Sequence, residues 1–172
     1  MTPGEQQFRA ELVRVLPRLR RFARALSGRR EDADDLLQIA LERALLRRLQ
    51  WEPGTQLLSW LFKIINNAWI DEMRSRGRRD KIFAAVDAAE SASVEARAHP
   101  VDAIALRRAV EQLTEEQRIA VALVLVEGLT YKEAAEVLGV PMGTVTSRLA
   151  RAREQLQALL SPTETPAAGA VR

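Results

Sequence analysis

Three features of this 172-residue sequence predict an all-α fold of two small helical domains joined by a flexible linker. Ala, Leu, Arg and Glu, all good helix formers, dominate the composition, and most Gly and Pro sit where helices would have to stop. Apolar residues recur at helical spacing in two separate blocks, and residues 84–102 between them, "AAVDAAESASVEARAHPVD", contain no aromatic and few large aliphatic residues. Such a segment buries too little surface to offset the entropy of ordering it and reads as a tether, although its alanines also suit extension of a neighbouring helix. The expected organisation is a first domain over 1–83, an acidic Ala-rich linker over 84–102, a second domain over 103–160 and a frayed tail over 161–172.

In the first block, Leu12, Leu16, Leu19, Ala23 and Leu26 form one buried stripe, with Pro17 expected to open a new helix or kink this one. After "SGRRED", Leu36, Ala40, Leu41, Ala44 and Leu45 mark a second helix over 33–49, whose acidic start suits the positive end of the helix dipole and which "WEPG" breaks. A third helix over 56–74 carries Trp60, Leu61, Ile64, Ile65 and Ala68 on a broad face and runs into the basic "RSRGRRDK". Short connections make these three helices a bundle.

The second block carries two capping signatures of the form T-x-x-E/Q, Thr114 with Gln117 and Thr130 with Glu133, so helices should begin at 115 and 131. Gly139 ends the latter in a position suited to a left-handed residue, and Pro141 fits the first turn of a further helix. In that last helix Val145, Leu149, Ala152 and Leu156 share one face, leaving Thr144, Thr146, Ser147, Ala150 and Arg151 outward. Short hydroxyls and arginines on an exposed helix after a tight turn suit entry into a DNA major groove, whereas an interface hairpin would expose larger apolar anchors.

Charge agrees with a polyanion partner. Residues 1–83 carry 17 Lys and Arg against 11 Asp and Glu, residues 84–102 carry 1 against 4, and residues 103–160 are balanced at 7 each. The absence of cysteine and a single histidine argue against disulfide scaffolds, thiolate metal sites and histidine-based hydrolysis, so no cofactor or metal is expected. The N-terminal stretch lacks a signal-peptide pattern, and the longest apolar run, 119–126, falls far short of the ~20 residues that cross a bilayer, which points to the cytoplasm.

The segment "GLTYKEAAEVLGVPMGTVTSRLARARE" resembles region 4 of the extracytoplasmic-function (ECF) group of bacterial sigma-70 factors, and "EDADDLLQIALERAL" with "WEPGTQLLSWLFKIINNAWIDEMRSRGRR" resembles regions 2.1 to 2.4 of the same group. The resemblance covers about 9–83 and 103–158 in the expected order. It implies a non-catalytic initiation subunit that binds core RNA polymerase, captures unpaired bases of the −10 element with its first domain and reads the −35 duplex with its second. It further implies control by an anti-sigma factor, and a monomer when free.

Carried over by position, "DLLQ" places Asp35 and Gln38 on the polymerase contact, with Ile39 where a glutamate is usual. Asn66, Asn67, Trp69, Asp71 and Arg74 fall on the −10 recognition helix, followed by a basic loop over 75–79 with Arg76, Arg78 and Arg79. Amides suit splayed bases and arginines suit phosphates. Trp60 reads as core, and Trp69 equally as core or as a base-stacking platform. The −35 contacts fall on Pro141, Gly143, Thr144, Thr146, Ser147 and Arg151, with Arg148 and Arg153 near the backbone. Thr146 replaces a common Lys or Arg, Met142 a frequent Glu, and Val124 a phosphate-binding Arg of some relatives. Dipole electrostatics alone account as well for Asp32 and Asp34. A dimeric operator-binding regulator would leave "DLLQ" and the 66–79 segment unexplained, and an enzyme acting on nucleic acid lacks a metal-spaced carboxylate cluster.

Overall fold

The computed structural model describes residues 3–51, 56–82 and 100–161. The helices are α1 (Pro3–Ser27), α2 (Arg30–Leu46), α3 (Leu57–Ile82), α4 (Pro100–Glu111), α5 (Glu115–Val121), α6 (Tyr131–Leu138) and α7 (Met142–Leu160), and the described residues contain no strand. The reading of residues 84–99 as linker and of 162–172 as tail lies outside the described residues, whereas residues 100–102 already belong to α4.

Helices α1, α2 and α3 pack pairwise against one another. Phe22 and Phe62 meet at the centre with ring centroids 4.8 Å apart, and Ala33, Ala40 and Ala44 keep the inner face of α2 small enough for close approach. Trp51 and Trp60 pack around Phe8, which closes the end of the bundle where the "WEPG" break was expected.

Three boundaries differ from expectation. Helix α1 continues through Pro17, so no new helix opens there; Pro17 is exposed, as is Val13 one turn earlier, which places the carbonyl that loses its partner on the outer side of the helix. Helix α2 stops at Leu46, and a short 3-10 turn, Arg48–Gln50, finishes the segment. Helix α3 runs on to Ile82, so residues 75–79 are helical rather than a loop. The ion pairs Arg76 Nε to Glu72 at 2.9 Å and Arg76 Nη2 to Asp32 at 2.9 Å hold this extension to its own helix and to α2.

In the second unit, α4, α5 and α6 pack around α7, and Val145, Leu149 and Ala152 of α7 are fully buried. Helix α5 widens into a π turn, Ala122–Val126, closed by a bond from the Glu127 amide to the Ala122 carbonyl at 2.9 Å. The apolar run 119–126 did not reveal this turn. The two units are in direct contact, α1 against α5 and the π turn, and α3 against α6, so one continuous core runs through both.

Candidate DNA-facing and polymerase-facing surfaces

Local sequence signals build the helix pair α6–α7. The Thr130 hydroxyl accepts from the Glu133 amide at 3.2 Å while a Glu133 carboxylate oxygen accepts from the Thr130 amide at 2.8 Å, a reciprocal capping box. The Thr130 backbone N–H and then its hydroxyl hold the Glu133 carboxyl below the ordinary range. Thr114 and Gln117 form the same box at the start of α5. Gly139 adopts φ +66°, the left-handed value that only glycine takes without strain, and so turns the chain sharply from α6. Pro141 caps α7 from just outside rather than occupying its first turn, with extended ψ of 146° and a carbonyl that accepts from the Thr144 amide at 2.9 Å.

The turn aims α7 outward. Pro141, Gly143, Thr146, Arg151 and Arg153 are exposed and Thr144 and Ser147 half-buried, along the side opposite the Val145–Leu149–Ala152 stripe. The Thr146 and Ser147 hydroxyls donate back to the Met142 and Thr144 carbonyls, at 3.1 and 3.0 Å. Arg148 differs from its neighbours. It lies against α5, paired with Glu116 at 3.0 Å, and braces the helix instead of reaching outward.

On α3 the candidate residues divide. Asn67, Asp71 and Arg74, spaced by four and three, form one exposed stripe, with Asp71 paired to Arg43 of α2 at 2.8 Å. Asn66 and Trp69 are only 4 % and 5 % exposed. The Trp69 indole N–H donates to a Glu115 carboxylate oxygen at 2.5 Å, so the second unit covers the ring that had read equally as core or as stacking platform. Arg76 is occupied by Asp32 and Glu72. The hydrogen bond to Asp32, then that to Glu72, raises its pKa, and the same contact lowers that of Asp32. Arg78 and Arg79 lie in the helical extension, their side chains outside the described residues.

Asp35 and Gln38 are exposed one turn apart on α2, with the Gln38 amide donating to Glu42 at 3.2 Å and Ile39 also exposed beside them. The structure therefore leaves a polar α2 patch, an α3 stripe and the outer face of α7 on separate elements. Among the described residues there is no cluster of three or more metal-ligating side chains, and no helix is long and apolar enough to cross a membrane.

Sequence reasoning missed the contacts between the units. Arg18 Nε donates to one Glu127 carboxylate oxygen at 2.7 Å and Arg21 Nε to the other at 3.0 Å. Arg18 also donates through Nη2 to the Glu127 carbonyl. Arg118 Nε reaches from α5 to the Ala25 carbonyl of α1 at 2.7 Å. The sequence held one signal, a single acid closing a long apolar run in "IAVALVLVEG", but nothing in it named the arginines as partners.

Two family models match in chain order, "Sigma-70 region 2" over residues 12–79 and "Sigma-70, region 4" over residues 103–156. The chain is 36 % identical over 163 residues to the ECF RNA polymerase sigma factor EcfG of Rhodopseudomonas palustris, covering 92 % of this chain and 87 % of that one. It is 39 % identical over 143 residues to the ECF RNA polymerase sigma factor SigM of Mycobacterium tuberculosis, covering 83 % and 71 %. Its fold is similar to the sigma factor RpoE of Bartonella quintana, solved in complex with the anti-sigma factor NepR, with a TM-score of 0.81, 37 % identity and coverage of 90 % and 97 %.

Proposed function

The chain belongs to the ECF RNA polymerase sigma factors of the sigma-70 family, and we propose that it binds core polymerase through α2, reads a −35 duplex with α7 and captures the opened −10 strand with α3. The observation that carries this reading is the outer face of α7, where small, hydroxyl and basic side chains stand exposed on a helix that follows the left-handed Gly139 turn at the end of the capped α6. Arg151 and Arg153 have no ion-pair partner among the described residues and suit guanine edges and phosphates. Arg148 supports the helix from behind.

No covalent chemistry is required of the chain. Opening promoter DNA costs on the order of 1.4 kcal/mol of stacking per base-pair step, offset by captured bases and by contacts from a basic helix. Asn67, Asp71 and Arg74 form the face of α3 available for that capture, and the Trp69 indole, which donates to Glu115 of the second unit, joins it once that unit moves away. The domain bounds that serve this division are 1–83 and 103–160, acting beside the polymerase in the cytoplasm. Control by an anti-sigma protein that covers the polymerase-facing surface completes the reading; the similar sigma factor RpoE was solved in complex with an anti-sigma factor.

The test is transcription in vitro. Pure protein mixed with bacterial core polymerase and genomic promoter fragments is expected to yield new run-off transcripts. Tight DNA binding in the absence of polymerase, with no transcripts in its presence, would sink the proposal in favour of an operator-binding regulator.

A further inference from the structure

We propose that Thr146 and Ala150, with Met142 before them, select thymine in the −35 duplex by packing against its 5-methyl group, so that α7 reads T·A pairs through apolar contact beside the polar contacts of its arginines. This rests on the −35 role proposed for α7 and names the chemistry of the bases it takes. Met142, Thr146 and Ala150 recur every four positions and so follow one another along α7, and all three are exposed, Met142 to 56 %. Core packing accounts for none of them, because Val145, Leu149 and Ala152 already supply the buried side of the helix.

Thr146 offers DNA less polarity than its side chain carries. Its hydroxyl donates to the Met142 carbonyl at 3.1 Å, so the proton is spent inside the helix and a methyl group and lone pairs are left for a ligand. Neither a charge nor an unspent hydrogen-bond donor remains on the three side chains. The major groove presents donors or acceptors on every base pair but one apolar group, the C5 methyl of thymine, which packs well against Ala and Thr methyls. Exposed apolar groups on a helix that enters the groove therefore have a single complement among the four bases. A Lys or Arg at position 146 would favour guanine, and Thr146 exchanges that preference for thymine.

Short side chains touch a base only where the helix comes close. Gly143 and Ser147, next to Met142 and Thr146, keep the adjoining surface low, and a Cβ at Gly143 would meet no atom of the described residues within 4 Å. The Ser147 hydroxyl is itself turned back to the Thr144 carbonyl at 3.0 Å. Thr146 and Ala150 lie ~6 Å apart along the helix axis, close to the rise of two base pairs at ~3.4 Å each, so their methyls face different pairs. Arg151 and Arg153, exposed just beyond Ala150, are placed to hold a guanine edge or a phosphate beside those thymines.

The probe is a genomic promoter fragment retained by the full chain with core polymerase, its −35 element located by footprinting. Deoxyuridine replaces each thymine of that element in turn, on either strand, which removes one methyl and leaves the hydrogen-bonding edge intact. Binding is expected to weaken about fourfold at the pair that Thr146 faces and again at the pair that Ala150 faces, the worth of one buried methyl. Thr146→Ser deletes the protein's methyl and keeps the hydroxyl that bonds to Met142. In that variant deoxyuridine at one of the two sensitive pairs should cost less than twofold, while the other pair keeps its fourfold loss. A −35 element without a T·A pair, deoxyuridine that costs nothing at every position, or equal losses in Thr146→Ser and the unsubstituted chain overturns the methyl contact and leaves the sigma reading standing. Retention of no promoter fragment overturns the sigma reading, and the methyl contact with it.

Discussion

Helices α3 and α7 are both candidate DNA-reading elements, yet they stand differently toward the rest of the molecule. Helix α7 buries one narrow stripe and leaves its outer face exposed, whereas α3 is enclosed on one side by α1 and α2 and covered on another by α6 and α5. One element displays its candidate face as it stands; the other is only half displayed. The contrast follows from packing. Helix α7 lies at the edge of a small unit, while α3 supplies Leu61, Phe62, Ile65 and Ala68 to the centre of the first bundle.

The largest expected effect lies on the enclosed helix. Phe62 is fully buried against Phe22, so Phe62→Ala removes an aromatic pair and leaves a cavity, at a cost of roughly 3 to 5 kcal/mol. Chemical denaturation followed by circular dichroism should show that loss with α7's own contacts intact. A cost below about 1 kcal/mol would mean that the bundle is not packed around this pair.

The sequence revealed the exposed helix more completely than the enclosed one, for a physical reason. The helix pair is specified locally: capping boxes act within four residues, and Gly139 acts on its own backbone. The outward set of α7 is therefore legible in the order of its residues alone. Trp69 and Glu127 depend on residues 46 and more than 100 positions away, and no periodicity encodes those pairings. Arg148 shows the same limit. Its position in the sequence placed it near the DNA backbone, but Glu116 on a neighbouring helix decides where it points. The basic stretch 75–79 read as a loop because the resembled family places one after its recognition helix, while bonds from Arg76 to Asp32 and Glu72 keep it helical.

Paired substitutions sharpen the comparison at the level of DNA. Arg151→Ala on α7 is expected to weaken −35 duplex binding by about 1 to 3 kcal/mol if the guanidinium reads a base, with a larger loss on cognate than on scrambled duplex. Equal losses on both would reduce Arg151 to a phosphate contact. Asn67→Ala on α3 should leave duplex binding unchanged and lower open-complex formation. Permanganate reactivity identical to that of the unsubstituted protein would remove Asn67 from the melting role.

The smallest effect tests the local origin of α7's aim. Thr130→Ala removes the hydroxyl that caps α6 and is expected to cost about 1 kcal/mol at neutral pH. The partner carboxylate adds a pH signature. Because Glu133 titrates below its ordinary value of 4.5 in the folded state, its contribution is present above that value and is lost as pH falls through the lowered one. Glu133→Gln keeps both hydrogen-bonding roles of the box but cannot titrate. Thermal melts from pH 6 down to pH 3 should therefore show a shallower loss of stability in Glu133→Gln than in the unsubstituted chain. Equal slopes would mean that the carboxylate is not held by Thr130 in solution, and that the start of α6, and with it the turn into α7, depends on packing rather than on this cap.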